Sequence, residues 1–454
     1  MQLRAFLCLA LAACSADATD DEDWRKDGKA DDDAVKLAFR SYDVLFTNPV
    51  CKEYRYPEPV ATADGEAMLT AKPRNVYCSH LDMAASADRP SSPQHKLIEW
   101  IEPLGDGDEI FLAYLSFSNA AVGDALCAAA GRGTKITFVL DGPSPQSERL
   151  AGCGATILLR GHAGSIGFAH NKVVLVNPNG RSAYMKLSFS SGNMSAGVVT
   201  HHENWHFIDV KRSSYFAKAH VCLMKAQIDE EASSGRTEYR AALNACRDQI
   251  DAPEEDDIKA FFIPNRDDAK RAERYLLEPI AEAASIDIGA HRFGHSKLVT
   301  ALAERLADAD FRVRMIADDD LYWLAPLSGE SAEVGANQSF ESDNVAKLAA
   351  AGDFAIRYLE TNHAEHLLHH NKYVMYRDED GAPFGLIAGA ANLTGAGFND
   401  NFENIYFIKV PVALEAFDTQ FARVWDGKKA TPDEQDPPIA TPRGQMPATN
   451  VTPD

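Results

Sequence analysis

Residues 366–408 read HLLHHNKYVMYRDEDGAPFGLIAGAANLTGAGFNDNFENIYFI, and residues 166–208 read IGFAHNKVVLVNPNGRSAYMKLSFSSGNMSAGVVTHHENWHFI. Both stretches carry the triplet HNK, run through an apolar segment, a turn and a second apolar segment to an Asn, and close on Glu-Asn-x-x-Phe-Ile. His170 and His370 stand 200 positions apart, as do Lys172 and Lys372, and Glu203 and Glu403, while Asn193 and Asn392 differ by one in register. A third HxK, His295-Ser296-Lys297, has no Asn at the matching distance, so the signal is the repeated constellation and not the triplet. On an extended strand, residues two apart face the same way. Each His therefore shares a face with its Lys, and Asn171 and Asn371 point to the other.

Working outward, a second correspondence lies upstream of each copy. Glu109–Asp141 passes from the apolar run IFLAYLSF through AVGDALCAAAGRG to KITFVLD, and Ser285–Asp318 passes from SIDIGAHRF through KLVTALAERLADAD to RVRMIAD. Strands alternating with helical stretches predict α/β layering. The chain thus reads as a tandem duplication, with a first lobe over 42–250 and a second over 258–427, joined at the acidic run DAPEEDD. The segment ahead of the first repeat unit, up to residue 95, is expected to pack on the first lobe as a disulfide-pinned extension.

HxK followed by a small-residue turn with Asn and then an acid resembles the signature of the phospholipase D superfamily. The resemblance covers about residues 95–425. It implies an α/β fold of two similar lobes, each a mixed sheet flanked by helices, related by a pseudo-two-fold axis with one active site between them. It also implies the roles. A phosphodiester monoanion repels nucleophiles and has a poor leaving group, so catalysis needs cations, a nucleophile and an acid. Lys172, Lys372, Asn193 and Asn392 would surround the non-bridging oxygens, with Ser191 as a further phosphate contact. His170 would attack phosphorus and His370 would serve as acid and then base, or the reverse. Glu203 and Glu403 are placed to orient the imidazoles. The expected cofactor list is empty, because the two lysines already supply positive charge. Two departures stand out. The family's Asp five residues after Lys is Asn177 in the first copy and Arg377 in the second, and the Ser preceding the second Asn is replaced in Gly389-Ala390-Ala391-Asn392.

The composition narrows the field further. The chain has 454 residues, is 45% hydrophobic and 25% charged, and carries a formal charge of −22. These are globular values, and they exclude a disordered chain, a coiled coil and a multi-pass membrane protein. An acidic balance argues against a dedicated nucleic-acid surface, which would need cations to release counterions from phosphates. Residues 1–13 (MQLRAFLCLALAA) have the form of a bacterial export signal, and Leu11-Ala12-Ala13-Cys14 resembles a lipobox, with Cys14 as the lipidated residue. Cleavage after Ala16 or Ala18 would instead release a free product. The expected location is therefore the cell envelope or the medium. Residues 14–41 are rich in acids and read as a flexible linker, and 428–454, punctuated by proline, reads as a disordered tail. Of the eight cysteines, six remain after Cys8 and Cys14, and proximity pairs Cys51 with Cys78, Cys127 with Cys153 and Cys222 with Cys246.

Other features read more plainly. His201, His202 and His206 around Glu203, and His363, His366 and His369 before His370, read as a His-rich neighbourhood of active-site strands in preference to a metal centre. Trp205, Phe207, Tyr406 and Phe407 read as core. Residues 319–345 form an insertion, either a packed loop or, through Leu321-Tyr322-Trp323-Leu324, a lid or membrane-contact loop. The leading expectation is an exported, monomeric phosphodiesterase acting on phospholipid head groups or another phosphodiester. The rivals are a nuclease or phosphatidyltransferase of the same superfamily, and a scaffold that binds anionic lipid without turnover.

Overall fold

The computed structural model describes residues 34–47, 53–55, 60–61, 67–68, 75–77, 90–161, 167–195, 197–230, 236–318, 321, 338–359 and 368–426. The export signal, Cys14, the tail, the Cys51–Cys78 pairing, His363, His366 and Tyr322–Leu324 lie outside them.

The apolar runs become strands. The first sheet takes β1 (Phe39–Thr47), β2 (Glu109–Tyr114), β3 (Lys135–Leu140), β4 (Thr156–Leu159), β5 (Val173–Val176), β6 (Tyr184–Ser190) and β7 (Glu203–Lys211). The second takes β8 (Ile258–Ile263), β9 (Ser285–Ala290), β10 (Arg312–Asp318), β11 (Asp353–Leu359), β12 (Lys372–Arg377), β13 (Pro383–Gly389) and β14 (Glu403–Ile408). The strand orders are β1-β7-β6-β5-β2-β3-β4 and β8-β14-β13-β12-β9-β10-β11, so every strand has its counterpart at the same position in the other sheet. In both, the β2/β9 end of the sheet runs parallel and the β5/β12 end antiparallel. The molecule is α/β with two mixed sheets flanked by helices, as the duplication predicts. The inner parallel strands β2, β3 and β9 are covered on both faces, which is why they read as continuous apolar runs without alternation.

Helices α1 (Pro93–Ile101), α2 (Ala120–Gly131) and α3 (Pro145–Gly152) cover the outer face of the first sheet. Their starts are written locally: Asn119 accepts from Val122 N, and Ser144 and Ser147 form a reciprocal capping box. Helices α4 (Tyr215–Asp229) and α5 (Arg236–Arg247) follow β7. In the second half come α6 (Arg266–Leu277), α7 (Ser296–Arg305), α8 (Gln338–Ala351) and α9 (Pro411–Trp425). Helix α8 occupies the end of the insertion read as a loop, and Leu321 is buried. A single core cluster takes Leu175, Phe189 and Ile208 from one sheet and Met375, Leu386 and Tyr406 from the other, with α4 and α9 residues between them. Phe189 and Tyr406 stack across this seam with centroids 3.8 Å apart. Trp205, Phe207, Tyr406 and Phe407 are all core.

Disulfides join Cys127 to Cys153 and Cys222 to Cys246, as proximity predicted. One boundary differs from the sequence reading: the stretch read as linker up to residue 41 already contains the start of β1. The junction run DAPEEDD is tied to the first half of the chain. The Asp256 and Asp257 carboxylates accept the backbone N–H groups of Val35 and Leu37, each at 2.8 Å, and Glu255 accepts from Phe216 N at 3.0 Å. The acids there satisfy backbone donors ahead of β1 and at the start of α4, both in the first half of the chain.

Candidate active site

The first HNK lies just ahead of β5 and the second runs into β12 at Lys372, both at the seam where the two lobes meet. His170 N donates to Phe402 O at 2.9 Å and Lys172 N to Asn404 Oδ1 at 2.7 Å. In the other copy, His370 N donates to His202 O at 3.0 Å. The two HNK segments therefore stitch to the opposite lobe's Glu-Asn segment, through the bridges Ala169–Phe402 and His369–His202. These exchanged contacts are the pattern a two-fold relation produces.

The same exchange orients the histidines. His170 Nδ1 lies 2.8 Å from Glu403 Oε2, and His370 Nδ1 lies 3.0 and 3.1 Å from the two oxygens of Glu203. Neither imidazole uses the Glu of its own repeat. Both carboxylates are fully buried, and both rings nearly so. A carboxylate facing Nδ1 holds the proton there, which leaves Nε2 of each neutral ring as the atom with the free lone pair. Burial is the largest influence on both rings and lowers His170 to about 4 despite the Glu403 charge. It lowers His370 as well, where Lys372, His291 and His201 add repulsion.

The lysines are buried too. Lys172 Nζ donates to His170 O at 2.9 Å and Lys372 Nζ to His370 O at 2.6 Å, so each ammonium is folded back on the carbonyl two residues earlier. Burial lowers Lys172 to about 8, opposed by Glu403 and Glu203. Burial lowers Lys372 as well, opposed by Glu203 and Glu403. Asn193 and Asn392 follow β6 and β13, and the buried Oδ1 of each meets no partner among the described residues. Gly192 is required beside Asn193, because a Cβ there would lie 2.8 Å from the Glu203 carboxylate and the Trp205 ring.

Ser191, expected as a phosphate contact, donates its hydroxyl to Glu203 Oε2 at 2.8 Å and accepts from Asn204 N at 3.0 Å, and so positions that carboxylate. The second copy has Ala390 there, and Asn401 Nδ2 instead donates to Glu403 Oε1 at 3.2 Å. The two other departures are structural. Asn177, at φ 53°, bridges Asp108 and the backbone of Glu109 at a turn. Arg377 is held by Asp287 at 2.6 Å and by Asp418. Both anchor the far end of the strand that follows HNK.

His201, read as part of the His-rich neighbourhood, has its Nδ1 3.1 Å from Glu203 Oε1. Three participants escaped the sequence reading: the His291 ring lies 4.6 Å from that of His370, and Asn404 and Asn401 tie the Glu403 segment to the first lobe. The repeated Glu-Asn pair was visible for Asn404; nothing local marked His291. Among the described residues, His201, Glu203 and His370 form a group with metal-ligand spacing, yet each Nδ1 is already hydrogen-bonded to Glu203. The rest of the His cluster is dispersed. His206 bonds Tyr42 in the core, while His202 faces His369 across a cavity of about 10 Å³.

Residues 276–425, most of the second lobe, match the family model described as "Cardiolipin synthase, PLD-like domain". The match supports the phospholipase D superfamily. The matched stretch ends with α9 and contains β12–β14, which carry Lys372 and Glu403. No curated protein matches the chain. Among solved structures, the chain is similar to phosphatidylserine synthase of Haemophilus influenzae (12% identity, 72% of this chain and 82% of that one, TM-score 0.48). It is similar to polyphosphate kinase of Porphyromonas gingivalis (14%, 74% and 45%, 0.45), spanning less than half of that kinase. A phospholipase D family member from Salmonella typhimurium matches over 37% of this chain and 93% of its own, at 17% identity and TM-score 0.27.

Proposed function

We propose that this protein is a phosphodiesterase of the phospholipase D type, cleaving phospholipid head groups through a covalent phosphohistidine. The observation that carries the reading is the crossed pairing of His170 with Glu403 and His370 with Glu203, which frees both Nε2 atoms. In the first step, His170 Nε2 forms a bond to phosphorus while the bond from phosphorus to the head-group oxygen breaks. That oxygen takes the proton held on His370 Nε2. In the second step, water gives its proton to His370 Nε2 and displaces His170 from phosphorus. A neutral His370 cannot act as acid, and the phosphate monoanion entering beside it favours the charged ring. Lys172 and Lys372 neutralise the non-bridging oxygens, with the Asn193 and Asn392 amides as additional donors. The two disulfides suit an oxidising compartment, so export, with lipid attachment at Cys14 and action as a monomer, belongs to the same reading.

Head-group release from phosphatidylcholine and phosphatidylethanolamine vesicles in the presence of chelator tests it. Release should persist in chelator and disappear in His170→Ala and His370→Ala. DNA nicking without release would replace this reading with the nuclease one. Transfer to an alcohol would use the same intermediate, and the cardiolipin-synthase description of the matched model keeps that reading in play. Adding glycerol and identifying the lipid product separates transfer from hydrolysis.

A further inference from the structure

Cations crowd at one groove of this acidic chain. Arg236 and Arg240 of α5, Arg266 and Lys270 of α6 and Lys297 of α7 line a groove of about 400 Å³, floored by Asn265 and bounded by Glu273 and Asp400. Both acids are already engaged. Asp400 lies 3.4 Å from Arg236, and Glu273 pairs with Lys297 and lies 3.8 Å from His295 Nε2. Arg240 donates to the carbonyl of Pro264. Among the described residues, Arg240, Arg266 and Lys270 thus meet no carboxylate, and the last two are exposed. Burial, and after it the neighbouring charges of Arg236 and Arg266, lowers the affinity of Arg240 for its proton. Like charges held this close destabilise each other unless an anion enters. His295-Ser296-Lys297, the HxK outside the repeat, belongs here, with Lys297 on the groove wall.

We propose that this groove is an accessory site for a phosphate-bearing anion of charge −2 or more. Guanidinium groups favour phosphate because their planar donor forks match its oxygens, and three of the five cations here are arginines. The groove is joined to the catalytic region by chain connectivity. Asn399 and Asp400 line it, and the next residue, Asn401, donates to Glu403 and accepts from Phe168 N. Binding in the groove does not depend on the reaction proposed above; its proximity to Glu403 gives an occupied groove a route to influence that site. The ligand chemistry has two sources, a lipid head group or a free phosphorylated small molecule.

The test uses the full chain, wild-type and with Arg266→Gln plus Lys270→Gln, both exposed positions on a helix that tolerates Gln. Pyrophosphate binding by calorimetry and cosedimentation with phosphatidylglycerol against phosphatidylcholine vesicles are measured in parallel. Wild-type binding to pyrophosphate, weakened at least tenfold in the double variant and unaffected by Lys135→Gln on the first lobe, supports the site with a soluble anion as ligand. The same pattern for phosphatidylglycerol vesicles alone supports it with a lipid head group. Equal binding by wild-type and double variant, no binding to either probe, or capture of single-stranded DNA alone overturns it. Turnover of the soluble diester bis(p-nitrophenyl) phosphate, run on the same samples, separates the two proposals. Absent turnover with intact pyrophosphate binding removes only the phosphodiesterase reading, and intact turnover without groove binding removes only this one.

Discussion

Glu403 touches His170 at 2.8 Å and is itself fully buried, so its charge acts on that imidazole with little screening. Glu403→Gln keeps the shape and removes the charge that holds the proton on Nδ1 and stabilises the charged ring. Its kcat on a soluble phosphodiester should fall about 10²–10⁴-fold with the thermal midpoint nearly unchanged. A wild-type rate in the folded variant would sink the orienting role. Lys172 gives a pH signature. Burial lowers it to about 8, so it is charged below that pH and neutral above. The rate should therefore decline as pH rises through about 8, read from kcat/KM profiles between pH 6 and 9.5. A flat alkaline limb would mean that the charge of Lys172 is not used.

At the scale of elements, the strand that follows each HNK is tied down at its far end, and this is where the family's Asp is missing. Asp287 on β9 accepts from Arg377 on β12 at 2.6 Å and from Arg314 on β10 at 2.7 and 2.8 Å. Asp287 is almost completely buried, so its removal strands charged guanidiniums. Asp287→Ala should cost about 3–5 kcal/mol in denaturant unfolding. A cost under about 1 kcal/mol would show that the neighbouring strands hold without it. The lobe junction offers a second test. His202 and His369 occupy the places that Phe402 and Ala169 hold at the opposite junction, and among the described residues the ring nitrogens of both histidines meet no hydrogen-bond partner. His202→Phe combined with His369→Ala copies the apolar junction onto the polar one. The double variant should lose less thermal stability between pH 8 and pH 5 than wild type does.

Across the whole molecule, that loss has a defined sign. His206, His220 and His369 are lowered to about 3, chiefly by burial, from an ordinary 6.5. Above about pH 7 they are neutral both folded and unfolded. Below 6.5 the unfolded chain takes up protons that the fold refuses, so stability falls with pH until the folded values near 3 are reached. Each such histidine contributes a slope of about 1.4 kcal/mol per pH unit within that window. Thermal midpoints measured from pH 8 to pH 4.5 should drop steadily below pH 6.5. A flat profile would mean that these rings find proton-accepting partners in the fold.

The duplication, the α/β class, the catalytic candidates and the two observed disulfides were legible in the sequence, because repeated spacing, apolar runs and short cysteine separations are local properties. Asn177, Arg377 and Ala390 were visible as departures, but their consequences were not. Whether Arg377 breaks a site or braces a sheet depends on Asp287, 90 positions away. The edge strands β1 and β8 carried no clear signal, and their places are fixed by pairing with β7 and β14. Only the tertiary structure decided that each histidine answers to the other lobe's glutamate, that Ser191 serves Glu203, and that an acidic chain gathers five cations into one groove. Composition sums charge over the chain and spacing orders residues along it, whereas which groups meet across a seam is set by packing of the two sheets.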